Sequence, residues 1–242
     1  MKTKKTICPS LTVIGLVAVT LFTGCASTDV TSRNEIVTGH IPKPPMILVY
    51  DFVATAGDVP DQSLLASHPE VDTSAYQTPE QIANGRKIGA ELAADMAASI
   101  RAMGMPAQEA KPGRVPTLND IVLQGYILSI QEGSAGKRIV VGFGSGASEM
   151  KTAVEGFQMT EHGLRKLGGG ELDSGGSKAP GADLGVVSLI ATHNPAGLIL
   201  STGMHVYGEE SGDSTVQGRI KSTVKEISAV LKQRFQEQGW IQ

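Results

Sequence analysis

The stretch that most constrains the fold is a helix written out in full. Thr78-Pro79-Glu80-Gln81 places a capping threonine, a proline at the first helical position and a glutamine three residues after the cap, the arrangement that satisfies orphan backbone N–H groups at a helix start. Ile88, Leu92, Met96, Ile100 and Met103 follow at spacings of four and three, one apolar stripe that must face a core. Gly104 and Pro106 end it. On both sides lie apolar runs with strand character: "MILVYDFV" at 46–53 and "IVLQGYILSI" at 121–130, the second with Gly125 inside. An internal glycine in such a run marks a bulge or the close approach of another group. The stretch 58–79 between the first run and the helix has no periodicity and reads as a loop.

The next strand is read from a glycine cluster, "RIVVGFGSGASEMKTAVEG" at 138–156. Gly142 to Ala147 match the letters of a dinucleotide fingerprint, which requires a helix to open there so that its N–H groups meet a pyrophosphate. Instead Met150, Thr152 and Val154 interleave with Lys151, Ala153 and Glu155, a strand pattern. Ser145 is not in a nucleophile elbow either, because Phe143 stands where G-x-S-x-G needs glycine. The glycines therefore read as points where a strand bends. A turn at 132–136 makes 138–141 return antiparallel to the run before it.

The chain ends in a second amphipathic helix. Ser214-Thr215-Val216-Gln217 has the form of a capping box, and Val216, Ile220, Val224, Ile227, Leu231 and Phe235 make an apolar face. Arg219, Lys221, Lys225 and Lys232 are expected on a solvated basic face opposite. Gly239 stops the helix, and Trp240-Ile241 can fold back over its last turn as a structural plug. The glycine-dense stretch 164–181 reads as an exposed hairpin or loop. Two apolar runs at 184–207, split by Asn194-Pro195, read as a buried strand pair; a membrane-inserting hairpin is the competing reading. Together these elements predict an α+β domain: an antiparallel sheet from Met46, Ile121, Arg138, Ala147 and near Leu198, with two amphipathic helices packed on one face.

The first 25 residues set the location. Lys2, Lys4 and Lys5 precede an apolar run at 11–22, a signal-peptide layout too short for the ~20 residues of a membrane-spanning helix. Leu21-Phe22-Thr23-Gly24-Cys25 resembles the lipobox of bacterial lipoproteins, which implies cleavage before Cys25 and lipid attachment to it. Residues 1–24 are then a signal peptide, 25–45 a polar, proline-ended tether, and 46–242 one domain. Ala26-Ser27 lacks the aspartate of inner-membrane retention, so the expected site is the outer membrane, facing the periplasm. The chain has two cysteines. Cys8 leaves with the signal peptide and Cys25 carries lipid, so no disulfide and no thiolate metal site remains.

Loss of the three lysines takes the net charge from −3 to −6. With 4% aromatic residues, such a chain has neither the basic field nor the stacking surface for nucleic acid. His40, His68, His162, His193 and His205 are scattered and form no metal-ligand spacing. No catalytic constellation and no cofactor motif is present in the sequence, and the chain reads as non-enzymatic.

Beyond these local readings, "RIVVGFGSGAS", a first strand ending in Asp51-Phe52 and the closing "EISAVLKQRFQEQGWI" resemble the bacterial lipoproteins grouped as domain of unknown function 4410, over about 46–241. The resemblance implies no activity and transfers no catalytic residue. It marks Arg138, Gly142, Gly144 and Gly146 as signature positions of structural role. The expected function is a lipid-anchored binding or assembly module with an unidentified envelope partner. The alternative is an oligomeric pore or secretion accessory.

Overall fold

In the computed structural model, the structure describes residues 28–55, 58, 78–111, 113–131, 149–175 and 215–242. The elements run β1 (Thr28–Glu35), β2 (Ile47–Tyr50), α1 (Pro79–Ala102), β3 (Ala107–Ala110), β4 (Ile121–Gln131), β5 (Glu149–Thr160), β6 (Gly163–Gly175) and α2 (Val216–Glu237). They form one six-stranded sheet of order β1-β6-β5-β4-β2-β3 with two helices. This is the expected α+β class.

The sheet is mixed, which corrects the expectation of an antiparallel one. β4, β5 and β6 form an antiparallel meander and β1 adds antiparallel to β6, but β2 pairs in parallel with both β3 and β4. The cause is α1. A helix that carries the chain back along the sheet before the next strand makes that strand parallel to the one before it, and β2-α1-β3 is such a unit. The ten residues after β3 return the chain to the same end, so β4 also starts beside the start of β2, where Ile121 N donates to Met46 O.

α1 follows its sequence closely. Thr78 Oγ1 accepts from Gln81 N at 3.2 Å and Gln81 Oε1 accepts from Thr78 N at 2.8 Å. Ile88, Leu92, Met96 and Ile100 are buried. They share one core cluster with Ile47 and Val49, with Leu123 and Ile127 of β4, and with Ile220, Val224 and Ile227 of α2. Ser228 of α2 donates to Met96 Sδ at 3.8 Å. Alternate residues Leu48, Val122 and Phe157 form a second, smaller cluster with Ala110, as the two-residue period of a strand demands.

Two stretches that the sequence did not assign to the main sheet prove to be strands of it. The glycine-dense segment 164–181, expected as an exposed hairpin or loop, supplies all of β6 but its first residue. Its partner β1 lies inside the stretch expected as a tether. The two pair from Thr28↔Ser174 to Glu35↔Gly168. A Cβ at Gly168 would lie 2.6 Å from Asn34 O, and one at Gly170 would lie 2.8 Å from Ser32 O. The glycines are where β1 comes close, not where the chain turns. The turn itself is short, with Gly163 at φ 103° and Thr160 Oγ1 donating to Gly163 O.

α2 differs in its first turn. Its cap is Thr215, whose hydroxyl accepts from Gly218 N at 3.1 Å, one residue later than the sequence suggests. Lys221, Lys225 and Lys232 are exposed as expected, but Arg219 is fully buried. Val216, Gly218, Ile220 and Thr223 are buried around it, so this end of the helix is enclosed on more than one side. A single apolar stripe does not reveal that.

The other end of α2 closes as a Schellman motif. Gly239 takes φ 69°, its N–H donates to Gln236 O, and Trp240 N donates to Phe235 O, both at 2.9 Å. The accompanying apolar contact is Phe235 on Trp240, ring centroids 5.5 Å apart.

Candidate functional site: an apolar cleft under the last helix

The antiparallel half of the sheet has a floor with side chains missing. Cross-strand pairing aligns Glu35, Gly168, Gly156 and Leu123 in one row and Arg33, Gly170, Val154 and Gly125 in the next. Glycine at 168 and 170 is required by β1. At Gly156 a Cβ would meet only Leu123 Cδ2, at 3.7 Å, so space stands open above the strand. α2 bridges that space with Ile227, Leu231 and Phe235, and Trp240 closes one end. The result is a cleft of about 170 Å³ with mainly apolar walls, partly open to solvent. For scale, an apolar cavity of about 150 Å³ accepts benzene.

The rim is polar and already engaged. Arg234 donates to Val37 O at 2.6 Å and pairs with Glu237 at 3.0 Å and Glu35 at 3.4 Å. Arg33 pairs with Glu35 at 2.6 Å. Hydrogen bonding from Arg234 is the main cause that holds the Glu237 carboxyl below its usual range. Gln238 clasps the chain after β1 through Ile41 N at 2.8 Å and Gly39 O at 3.0 Å. Trp240 Nε1 donates to Ile41 O, and Lys43 Nζ donates to Trp240 O. These contacts fix the C-terminal wall of the cleft to residues 37–43. Trp240 is thus the expected plug and also a cleft wall.

A second polar group lies on the opposite sheet face. Tyr126 Oη donates to Glu155 Oε2 at 2.7 Å, and Lys166 Nζ donates to Oε1 at 2.5 Å. Tyr126 and Glu155 have no exposed surface, so the trio reads as a satisfied buried ion pair. At the end of β2, partial burial is the first cause and Glu109 the second that hold the Asp51 carboxyl above its usual range.

Among the described residues no group of three or more His, Cys, Asp or Glu side chains could hold a metal ion. His40 and His162 are exposed and far apart in sequence. Cys25, Arg138, Gly142, Gly144, Gly146, Ser145, His68, His193, His205 and the apolar runs at 184–207 lie outside the described residues. Asp51-Phe52 lies within them, and its role is plain: Phe52 is wedged between α1 and β4. Sequence reasoning missed the cleft. The available signal was the spacing of Gly168 and Gly170, two residues apart and hence on one strand face.

A family model described as a domain of unknown function, DUF4410, matches residues 47–192. The chain belongs to the DUF4410 family. No curated protein matches it. Solved structures similar to this DUF4410 chain include two dodecameric forms of PelC from Paraburkholderia phytofirmans. A point variant is 13% identical, covering 70% of this chain and 98% of its own with a TM-score of 0.33. A second crystal form is 12% identical, covering 69% and 95%, also at 0.33.

Proposed function

We propose that the chain is a lipid-anchored envelope protein facing the periplasm. It acts not as an enzyme but as a binding or assembly module that takes an apolar side chain of an envelope partner into the cleft under α2. Location rests on the leader and the Leu21–Cys25 motif. The binding role rests on one observation: the cleft has apolar walls of core quality yet opens to solvent. Its volume suits one aromatic ring or branched side chain, and the charged groups on its rim are held by one another and are not presented for chemistry.

Gly156→Leu tests this, because position 156 points into the open space and the added side chain has room to occupy it. Lipidated protein extracted gently from native membranes is expected to retain a reproducible partner. The variant is expected to lose that partner with no fall in thermal midpoint, since a strand glycine is replaced by a better strand former. Retention of the partner by a folded Gly156→Leu protein would exclude the cleft as the contact. A ring-sized homo-oligomer in the same extract would favour the pore or secretion-accessory reading instead.

A further inference from the structure

The anchor and the sheet are almost adjacent in the chain. Only Ala26 and Ser27 separate Cys25 from the first residue of β1. Three Cα steps reach at most about 11 Å in any conformation, so Thr28 cannot leave the neighbourhood of a lipid carried on Cys25. The expected tether at 25–45 is not available as slack, because most of it is spent on β1 and on the clasped residues 37–43.

The topology then decides which part of the domain is close. Thr28 pairs with Ser174, Ser174 with Met150, and Glu149 with Gln131. The start of β1, the end of β6, the start of β5 and the end of β4 therefore share one end of the sheet. The opposite end carries the Thr160–Gly163 turn, the clasp and Trp240. Eleven residue steps along β5 separate the two ends by about 36 Å at ~3.3 Å per step.

We propose that the sheet stands end-on to a phospholipid surface. The strand ends at Thr28, Gln131, Glu149 and Ser174 are at headgroup level, and the β5-β6 turn and the C-terminal clasp are held away from the bilayer. This inference rests on lipid attachment at Cys25 and deepens that reading by orienting the domain. It has a consequence for the cleft. The polar rim at Glu35 and Arg234 faces the aqueous side, where a soluble or membrane-spanning partner can reach it, and the bilayer does not compete for the apolar walls.

The test uses full-length lipidated protein in vesicles of phosphatidylethanolamine and phosphatidylglycerol. The mature chain has no cysteine other than Cys25, so a single new thiol labels uniquely. Asp173→Cys marks the proposed near end, on a side chain about one third exposed that pairs with Lys151 at 3.6 Å. His162→Cys marks the far end, at an exposed turn. A fluorophore at 173 is expected to be quenched several-fold more strongly than one at 162 by lipids with nitroxide headgroups. A 20-residue Gly/Ser insertion between Ser27 and Thr28, whose end-to-end span is ~25 Å, is expected to remove the difference. Equal quenching at both positions in a protein whose mass confirms the lipid would overturn the orientation alone. A mature N-terminal peptide without lipid would overturn the anchor reading and the orientation with it.

Discussion

Phe52 offers the sharpest test of how this sheet and helix are held together, because two glycines serve it in different ways. A Cβ at Gly89 of α1 would lie 2.1 Å from the carbonyl oxygen of Phe52, and a Cβ at Gly125 of β4 would lie 2.3 Å from its ring. Phe52 N donates to Gly89 O at 3.1 Å, while Val53 N donates to Gly125 O at 2.8 Å. Phe52 is 3% exposed. Phe52→Ala is expected to cost ~3–5 kcal/mol, which leaves a domain of ordinary stability folded. Gly125→Ala forces the ring out of place and is expected to cost ~1–3 kcal/mol as overpacking. Gly89→Ala meets backbone that cannot rotate away, and its ~1 kcal/mol gain in helix propensity offsets only part of the strain.

The double mutants separate the two causes. With the ring gone, an alanine at 125 has space, so Phe52→Ala/Gly125→Ala should be no less stable than Phe52→Ala alone, a coupling of ~1–3 kcal/mol. Phe52→Ala/Gly89→Ala should show almost no coupling, because the carbonyl is still there. Urea unfolding followed by far-UV circular dichroism and by the single, buried Trp240 reads these differences directly. If Gly125→Ala costs the same with and without the phenylalanine ring, the reasoning about Gly125 is wrong.

Other substitutions probe the remaining elements. Lys166→Met removes the ammonium group that donates to the buried Glu155 carboxylate and is expected to cost ~3–5 kcal/mol, with Glu155→Gln in the same chain restoring much of the loss in urea melts; no rescue would mean that the pair is not the source. Gly168→Val pushes a side chain against Asn34 O, so hydrogen exchange should accelerate across Thr28–Glu35 while α1 stays protected; unchanged protection of β1 would refute the close-approach argument. For Asp51, the folded carboxyl pKa lies above its unfolded value, so ionisation opposes folding above that pKa and the penalty fades as pH falls through it. Asp51→Asn should therefore raise the thermal midpoint slightly at neutral pH and lose that advantage in acid, and a larger gain in acid would contradict the sign.

What the sequence determined by itself was whatever depends on neighbours along the chain. The α1 cap, its apolar stripe, the strand runs of β2, β4 and β5 and the Phe235–Trp240 closure are written in spacings of a few residues. Hydrogen-bond satisfaction at a helix end or the period of a strand allows few alternatives. Only the tertiary structure decided what depends on contacts across the sheet. The glycines of β6 are spent on the approach of β1, more than 130 residues earlier. The crossover of α1 makes β2 parallel to both its neighbours. Arg219, one position from Ile220 on a helix that looks one-sided, is buried because its surroundings enclose it. The cleft belongs to the same class: it exists because missing side chains on β5 and β6 lie under a helix that arrives from the far end of the chain, and the spacing of Gly168 and Gly170 marks the bare strand face but not the helix that covers it.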